Sequence, residues 1–200
     1  MKKLILLPLF VLSAGLLFAQ EAPEGLFLNS KAPDFKGKDQ NGADVRLKEL
    51  LKKGKVVLVF YRGEWCPYCN KNLKRLEDSL QLIKDKGAQL IAITLEQDSG
   101  VIKTVEKTKA TYSVVTDKEQ KISKAYNVLY KVDDKILSRY KMANIDLAVN
   151  NGQKPDAVYL PIPAIYVIGK DGEIKYRFFE PDYKKRASVK EILDNLNGLK

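Results

Sequence analysis

Apolar positions along this chain follow several distinct rhythms, and each predicts a different element. Leu4–Ala19 is a run of sixteen residues without a charge, preceded by Lys2 and Lys3 and followed by Gln20 and Glu21. A basic start, a short apolar centre and a small residue at its end have the form of a secretory signal peptide, with cleavage expected near Ala19. The run is shorter than the roughly 20 residues a spanning helix needs, and Pro8, Ser13 and Gly15 weaken it as a helix. The expectation is a leader over 1–19 and an exported, bacterial periplasmic domain over 33–200, with no membrane span after cleavage.

From Pro33 the pattern alternates strand and helix. Asp39–Gly42 is a turn between short extended pieces around Phe35 and Val45–Leu47. Lys55–Tyr61 is continuously apolar, β-branched and aromatic, as expected of a central strand buried on both faces. Pro67–Lys86 reads as a helix ended by Gly87, and Ala88–Leu95 as a second buried strand. Helix over Ser99–Lys109, strand over Tyr112–Thr116 and helix over Lys118–Tyr126 follow. Ala164–Ile168, the turn Lys170–Glu173 and Ile174–Phe179 form a closing hairpin, and Ser188 caps a last helix through Leu196. Residues 129–160 interrupt this order: Ile136, Leu137, Tyr140, Ala143 and Leu147 have helical spacing, and Asn150–Pro155 is a polar loop. The fold class is therefore α/β, a central mixed sheet flanked by helices, with an inserted helical segment.

Composition removes whole chemistries. The chain has 200 residues, no His and two Cys. There can be no Ser-His or Cys-His catalytic pair and no His-bound metal. Two thiols cannot complete a four-thiolate zinc site within one chain, so no metal and no organic cofactor is implied. The net charge of +10 comes mainly from lysines dispersed among acidic residues, the pattern of a solvated surface and not of a nucleic-acid reader.

The informative segment is Tyr61–Cys69, which follows the buried strand and opens a helix. Pro67 suits the first helical position, which makes Cys66 the cap residue, at the positive end of the helix dipole. Such a place favours thiolate, so Cys66 is expected to be an exposed nucleophile. The apolar stripe Leu73, Leu76, Leu80, Ile83 extends back to Cys69, which should face the core. An exposed thiol beside a shielded one suits disulfide exchange, with Cys66 attacking and Cys69 resolving. A structural disulfide is the weaker reading, because so short a loop contributes only about 2 kcal/mol. Half of a zinc site shared between two chains is the other.

Trp65-Cys66-Pro67-Tyr68-Cys69 after a buried strand resembles the active-site motif of the thioredoxin superfamily, and the longer string from Tyr61 resembles its peroxiredoxin-like (AhpC/TSA, redoxin) branch. Ala32-Pro33-Asp34-Phe35, Leu160–Ala164, Lys170–Ile174 and Pro181-Asp182-Tyr183 with Arg186 match in the same order. The resemblance implies a thioredoxin-like fold, catalysis by Cys66 and Cys69, and substrate contacts at Trp65, Pro67, Ile162 and Pro163. It implies a cis bond before Pro163, with the Ile162 backbone free to pair with a substrate strand. Arg62 would stabilise the thiolate and Glu64 would oppose it; Glu64 serving proton transfer is a second reading, and a solvated surface carboxylate is the one favoured over it. The partners implied are protein disulfides or thiols, a reductant protein and, in the rival peroxidase reading, hydroperoxides. A non-catalytic client-binding module is the third. One departure weighs against peroxidase chemistry: peroxiredoxins carry Pro and Thr or Ser where this chain has Val59 and Gly63. Thioredoxin's buried acid, on the strand before the motif, has no counterpart in Lys55–Tyr61.

Overall fold

A computed structural model describes residues 22–198; the expected leader over 1–19 lies outside them. A hairpin comes first, β1 (Lys36–Lys38) and β2 (Asp44–Arg46), followed by helix α1 (Leu47–Lys53). Strand β3 (Lys55–Phe60) leads to α2 (Pro67–Asp78) and α3 (Leu80–Asp85), then β4 (Ala88–Thr94), α4 (Asp98–Thr108), β5 (Ser113–Thr116) and α5 (Lys121–Ala125). The insertion holds β6 (Leu129–Lys131), α6 (Asp134–Met142), α7 (Leu147–Asn151) and β7 (Tyr159–Pro161). Strands β8 (Ala164–Ile168) and β9 (Ile174–Phe179) and helix α8 (Val189–Asn197) close the chain.

The five-stranded sheet has the order β5-β4-β3-β8-β9. Strands β3, β4 and β5 are parallel, and β8 and β9 are antiparallel to their neighbours. All six residues of β3 are buried because both faces of the sheet are covered. Val57 and Val59 point into one core with Leu73, Leu76 and Ile83, whereas Val56, Leu58 and Phe60 point into the other with Leu47, Tyr126 and Tyr166. That is the two-residue period of a pleated strand. The expected mixed α/β sheet is borne out.

Three boundaries differ from the sequence reading, each for a local reason. The long helix expected over Pro67–Lys86 is broken at Ser79, whose N–H still bonds the carbonyls of Arg75 and Leu76. Helix α5 starts at Lys121 because the Asp117 carboxylate accepts the N–H groups of Ile122 and Ser123. The stripe Ile136–Leu147 is split in two, with Asn144 left-handed (φ 58°) and Asp146 capping α7 through the Val149 N–H. The insertion also holds a hairpin: β6 and β7 pair antiparallel, over a small core of Val132, Leu147, Val158 and Leu160.

Candidate active site

The site sits where β3 ends. Register places Phe60 opposite Ala164, so Pro163, one residue earlier, reaches the same end of the sheet as the loop Tyr61–Cys66. Cys66 is the N-cap of α2 with extended backbone (φ −91°, ψ 106°), and Pro67 follows at the first helical position. The Cys66 N–H donates to the Gly63 carbonyl at 3.0 Å, and the N–H groups of Cys69 and Asn70 donate back to the Cys66 carbonyl. One helical turn then brings the two sulfurs to 2.8 Å, sharing a hydrogen bond and not joined in a disulfide.

The expected contrast in exposure is absent. Cys69 faces the core as the stripe implied, but Cys66 is equally buried, each 1% exposed. Pro67 and Tyr68 are the exposed residues of the motif. The hydrogen bond to Cys69, then burial and the neighbouring charge, push the Cys66 thiol up. Burial also opposes a Cys69 thiolate, but the hydrogen bond from Cys66 and the charge of Arg186 outweigh it and bring that thiol down to about 6. Burial and the shared hydrogen bond thus oppose a thiolate at Cys66, whereas the charge of Arg186 favours one at Cys69.

Two arginines serve the two sulfurs. Arg62, only 3% exposed, has its guanidinium over the rings of Tyr183 (4.2 Å), Trp65 (4.9 Å) and Tyr140 (5.6 Å). It donates to the Tyr140 hydroxyl, and its charge favours a thiolate at Cys66. Arg186 donates from Nη2 to Cys69 Sγ at 3.4 Å. Among the described residues neither arginine has a carboxylate within salt-bridge distance. Glu64 does not oppose Arg62: its half-buried carboxylate pairs with Lys107 and, at 3.9 Å, with Lys103 of α4.

A buried carboxyl that sequence reasoning missed completes the site. Glu96, two residues past β4 and 0% exposed, accepts the Glu64 N–H at 2.8 Å through Oε1. Burial holds its carboxyl up at about 8 against that hydrogen bond, and the charges of Glu64 and Cys69 add to the rise. Gly63, with φ 156°, explains the missing Thr: a Cβ there would lie 2.4 Å from Trp65 Nε1 and 2.8 Å from Glu96 Oε1. The space that a side chain would use is already filled by an indole and a carboxyl. The available signal for Glu96 was its place as the first acid past the carboxyl end of a parallel strand, where α/β sites gather. Of six buried side-chain polar atoms without a partner among the described residues, four belong to Arg62, Trp65, Asn70 and Glu96 around this loop. Such clustering marks a working site more than a structural one. A cleft of about 560 Å³ elsewhere, lined by Lys36, Gln40, Lys118 and Ile122, includes neither sulfur.

The cis bond expected before Pro163 is not found. The described residues contain no cis peptide bond, so Ile162–Pro163 is trans. The Ile162 N–H is also engaged, donating to the Val128 carbonyl at 2.7 Å just beyond the β6–β7 hairpin. That N–H is therefore not free to pair with another strand.

Fold and site together define a thioredoxin-like α/β domain with a close pair of thiols at a helix N-terminus. The chain belongs to the AhpC/TSA family, which it matches over residues 28–177. It is 31% identical to the thiol-disulfide oxidoreductase ResA of Bacillus thuringiensis over 106 residues, covering 52% of this chain and 60% of that protein. It is 30% identical to the chloroplastic peroxiredoxin Q of Gentiana triflora over 133 residues, covering 64% and 60% of the two. The chain thus spans about 60% of the length of these relatives. The crystal structure of peroxidoxin BcpB from Mycobacterium tuberculosis superposes with a TM-score of 0.65 at 19% identity, covering 86% of this chain and 97% of that one. At that identity the likeness shows the fold.

Proposed function

We propose that this protein is an oxidoreductase that exchanges thiols and disulfides through Cys66 and Cys69, exported after loss of residues 1–19. The observation that carries the reading is the pair of sulfurs at 2.8 Å on a helix N-terminus, each beside an arginine free of carboxylates. Cys66 lies beside the exposed Pro67 and Tyr68, which makes it the sulfur that meets a client. Cys66 passes its proton to Cys69 across the 2.8 Å hydrogen bond, and the Cys66 thiolate attacks one sulfur of a client disulfide. The client's S–S bond breaks, and the other client sulfur leaves with the electron pair and takes up that proton, which leaves Cys69 ionised. Cys69 then attacks Cys66 Sγ, which releases the second client thiol and forms the Cys66–Cys69 disulfide. A reductant protein restores the dithiol. Because Cys66 is buried, neighbouring side chains must shift as a client docks. Trp65, Pro67 and Tyr68 supply the docking surface, and Glu96, protonated at neutral pH, can hand a proton to a departing sulfur.

The named similarity to ResA supports this reading. The occupied space at Gly63 weighs against a dedicated peroxidase. Insulin-disulfide reduction measured beside hydroperoxide consumption tests it. The expected result is efficient insulin reduction and slow peroxide turnover, with Cys69→Ser trapping a mixed disulfide on Cys66. Fast peroxide turnover would overturn the ranking, and inactivity in both assays would leave a client-binding module.

A further inference from the structure

The string that holds Arg186 matched the family pattern with no role attached, and the fold brings it 117 residues back along the chain to Cys69. Arg186 lies between β9 and α8 on a firmly held segment. Ala187 is buried beside it, and Ser188 begins α8 with a reciprocal capping box to Glu191. Its Nη1 donates to the carbonyls of Tyr183 and Lys185, which fixes the guanidinium and leaves Nη2 for the sulfur at 3.4 Å.

We propose that Arg186 holds the resolving sulfur, Cys69, as a thiolate, and so sets how far into the acid range a mixed disulfide on Cys66 can be resolved. This rests on the exchange reading above. The other groups facing Cys69 do not substitute for it. Cys66 Sγ is consumed once the mixed disulfide forms, and Arg62 turns its backbone amide, not its guanidinium, toward this sulfur. Glu96, from the end of β4, carries charge of the wrong sign when ionised. Lys107 of α4 is taken up by Glu64. Arg186 is left as the one cation aimed at Cys69 among the described residues.

The consequence has a distinctive pH signature. The Cys66 hydrogen bond that also favours a Cys69 thiolate is lost in the mixed disulfide, which leaves the charge of Arg186 to oppose burial there. Removing the arginine then raises the pH at which Cys69 ionises, so its thiolate fraction falls most on the acid side, while the more basic thiolate that remains is the stronger nucleophile. Resolution without Arg186 should therefore fall off more steeply as pH drops.

The test uses an aromatic disulfide reagent that releases a coloured thiol twice per reduced protein, first on attack by Cys66 and then on resolution by Cys69. In Arg186→Gln the second phase should slow severalfold at pH 6 and much less at pH 8, and it should slow more than the first phase does. Arg186→Lys, which keeps the charge, should recover most of the acid-side rate. In a Cys66→Ser background, thiolate absorbance should show Cys69 titrating at higher pH when Arg186 is replaced by Gln. Should Arg186→Gln fail to fold, Arg186→Met, which keeps the apolar stem and removes the charge, gives the same comparison. Parallel pH profiles in folded variants, or equal changes in both phases, would overturn the proposal. A wild-type protein that ignores protein disulfides yet shows the Cys69 shift would sink the proposed function and leave the role of Arg186 standing.

Discussion

Gly63 and Glu96 have to be considered together, because each occupies space the other would need. A carboxyl buried without a cation is stable only while protonated, and the Glu96 carboxyl is held up at about 8. Its folded pKa lies above the unfolded value of 4.5. The stability gained from the protonated form is therefore complete below about pH 4.5 and is lost as pH rises through 8. The loss is about 1.4 kcal/mol per pH unit across that window. Glu96→Gln keeps the volume and the acceptor for the Glu64 N–H but cannot ionise. Thermal melts of wild type and variant should therefore agree near pH 4.5 and diverge toward pH 8, where the variant is the more stable. Equal melts at pH 8 would mean that Glu96 is already neutralised by a route other than its own proton. Gly63→Thr restores the hydroxyl of a peroxide pocket in name only. A side chain there must displace Trp65 or Glu96 and holds a left-handed backbone, so the variant should lose about 2–4 kcal/mol in denaturant titration and gain no peroxide turnover. A gain in turnover would show that the pocket reshapes at little cost.

At the scale of elements, what was legible was whatever one segment decides alone. Lys55–Phe60, Ala88–Thr94 and Ala164–Ile168 announce themselves as buried strands by continuous apolar runs, and Pro67 with Gly63 punctuates the loop between strand and helix. The placing of Cys69 on the core face followed from one helical stripe. What remained hidden depends on distant partners. Strands of three residues such as β6 and β7 are too short to show a period, so the insertion read as helix and loop. The cage around Arg62 draws on Tyr140, 78 residues away, so a buried guanidinium could not be read from the motif. The insertion is therefore part of the site. Tyr140 accepts from Arg62 and meets Trp65 edge to face at 5.1 Å. Tyr140→Phe keeps the ring and removes the acceptor, leaving a buried guanidinium N–H unpaired beside the orphaned Nε. It should cost about 1–3 kcal/mol in chemical denaturation, and an unchanged midpoint would show that another group takes over the bond.

At the scale of the whole molecule, other segments of the chain bond to parts of both edges of the sheet. The Ile162 amide is taken by Val128. On the β5 edge, the Gln40 side chain bonds the Tyr112 carbonyl and the Val114 N–H, and Asp39 bridges to Val115. On the β9 edge, Asn29 N–H donates to the Ile174 carbonyl, Ile174 N–H to the Ser30 carbonyl, and Ala32 N–H to the Gly172 carbonyl. Covered edge positions protect a sheet from adding strands of other chains. The β9 cover also moves the start of the folded unit ahead of Pro33. Gly25 N–H bonds the Asn127 carbonyl, and Leu26 N–H donates to the hydroxyl of the core residue Tyr166 at 3.0 Å. A chain begun at Ala22 keeps these bonds and one begun at Pro33 loses all five. At about 1 kcal/mol net each, with part regained by water at exposed positions, the shorter chain should be roughly 3–5 kcal/mol less stable. For a domain of this size that corresponds to a melting point lower by about 10 °C. Because the segment lies at the far side of the sheet from α2, the two-phase reaction of Cys66 and Cys69 should keep its rates at a temperature where both chains are folded. Equal melting points would show that 25–32 merely lies along the sheet. A loss of thiol reactivity in the folded short chain would show instead that the edge and the site are coupled through β8.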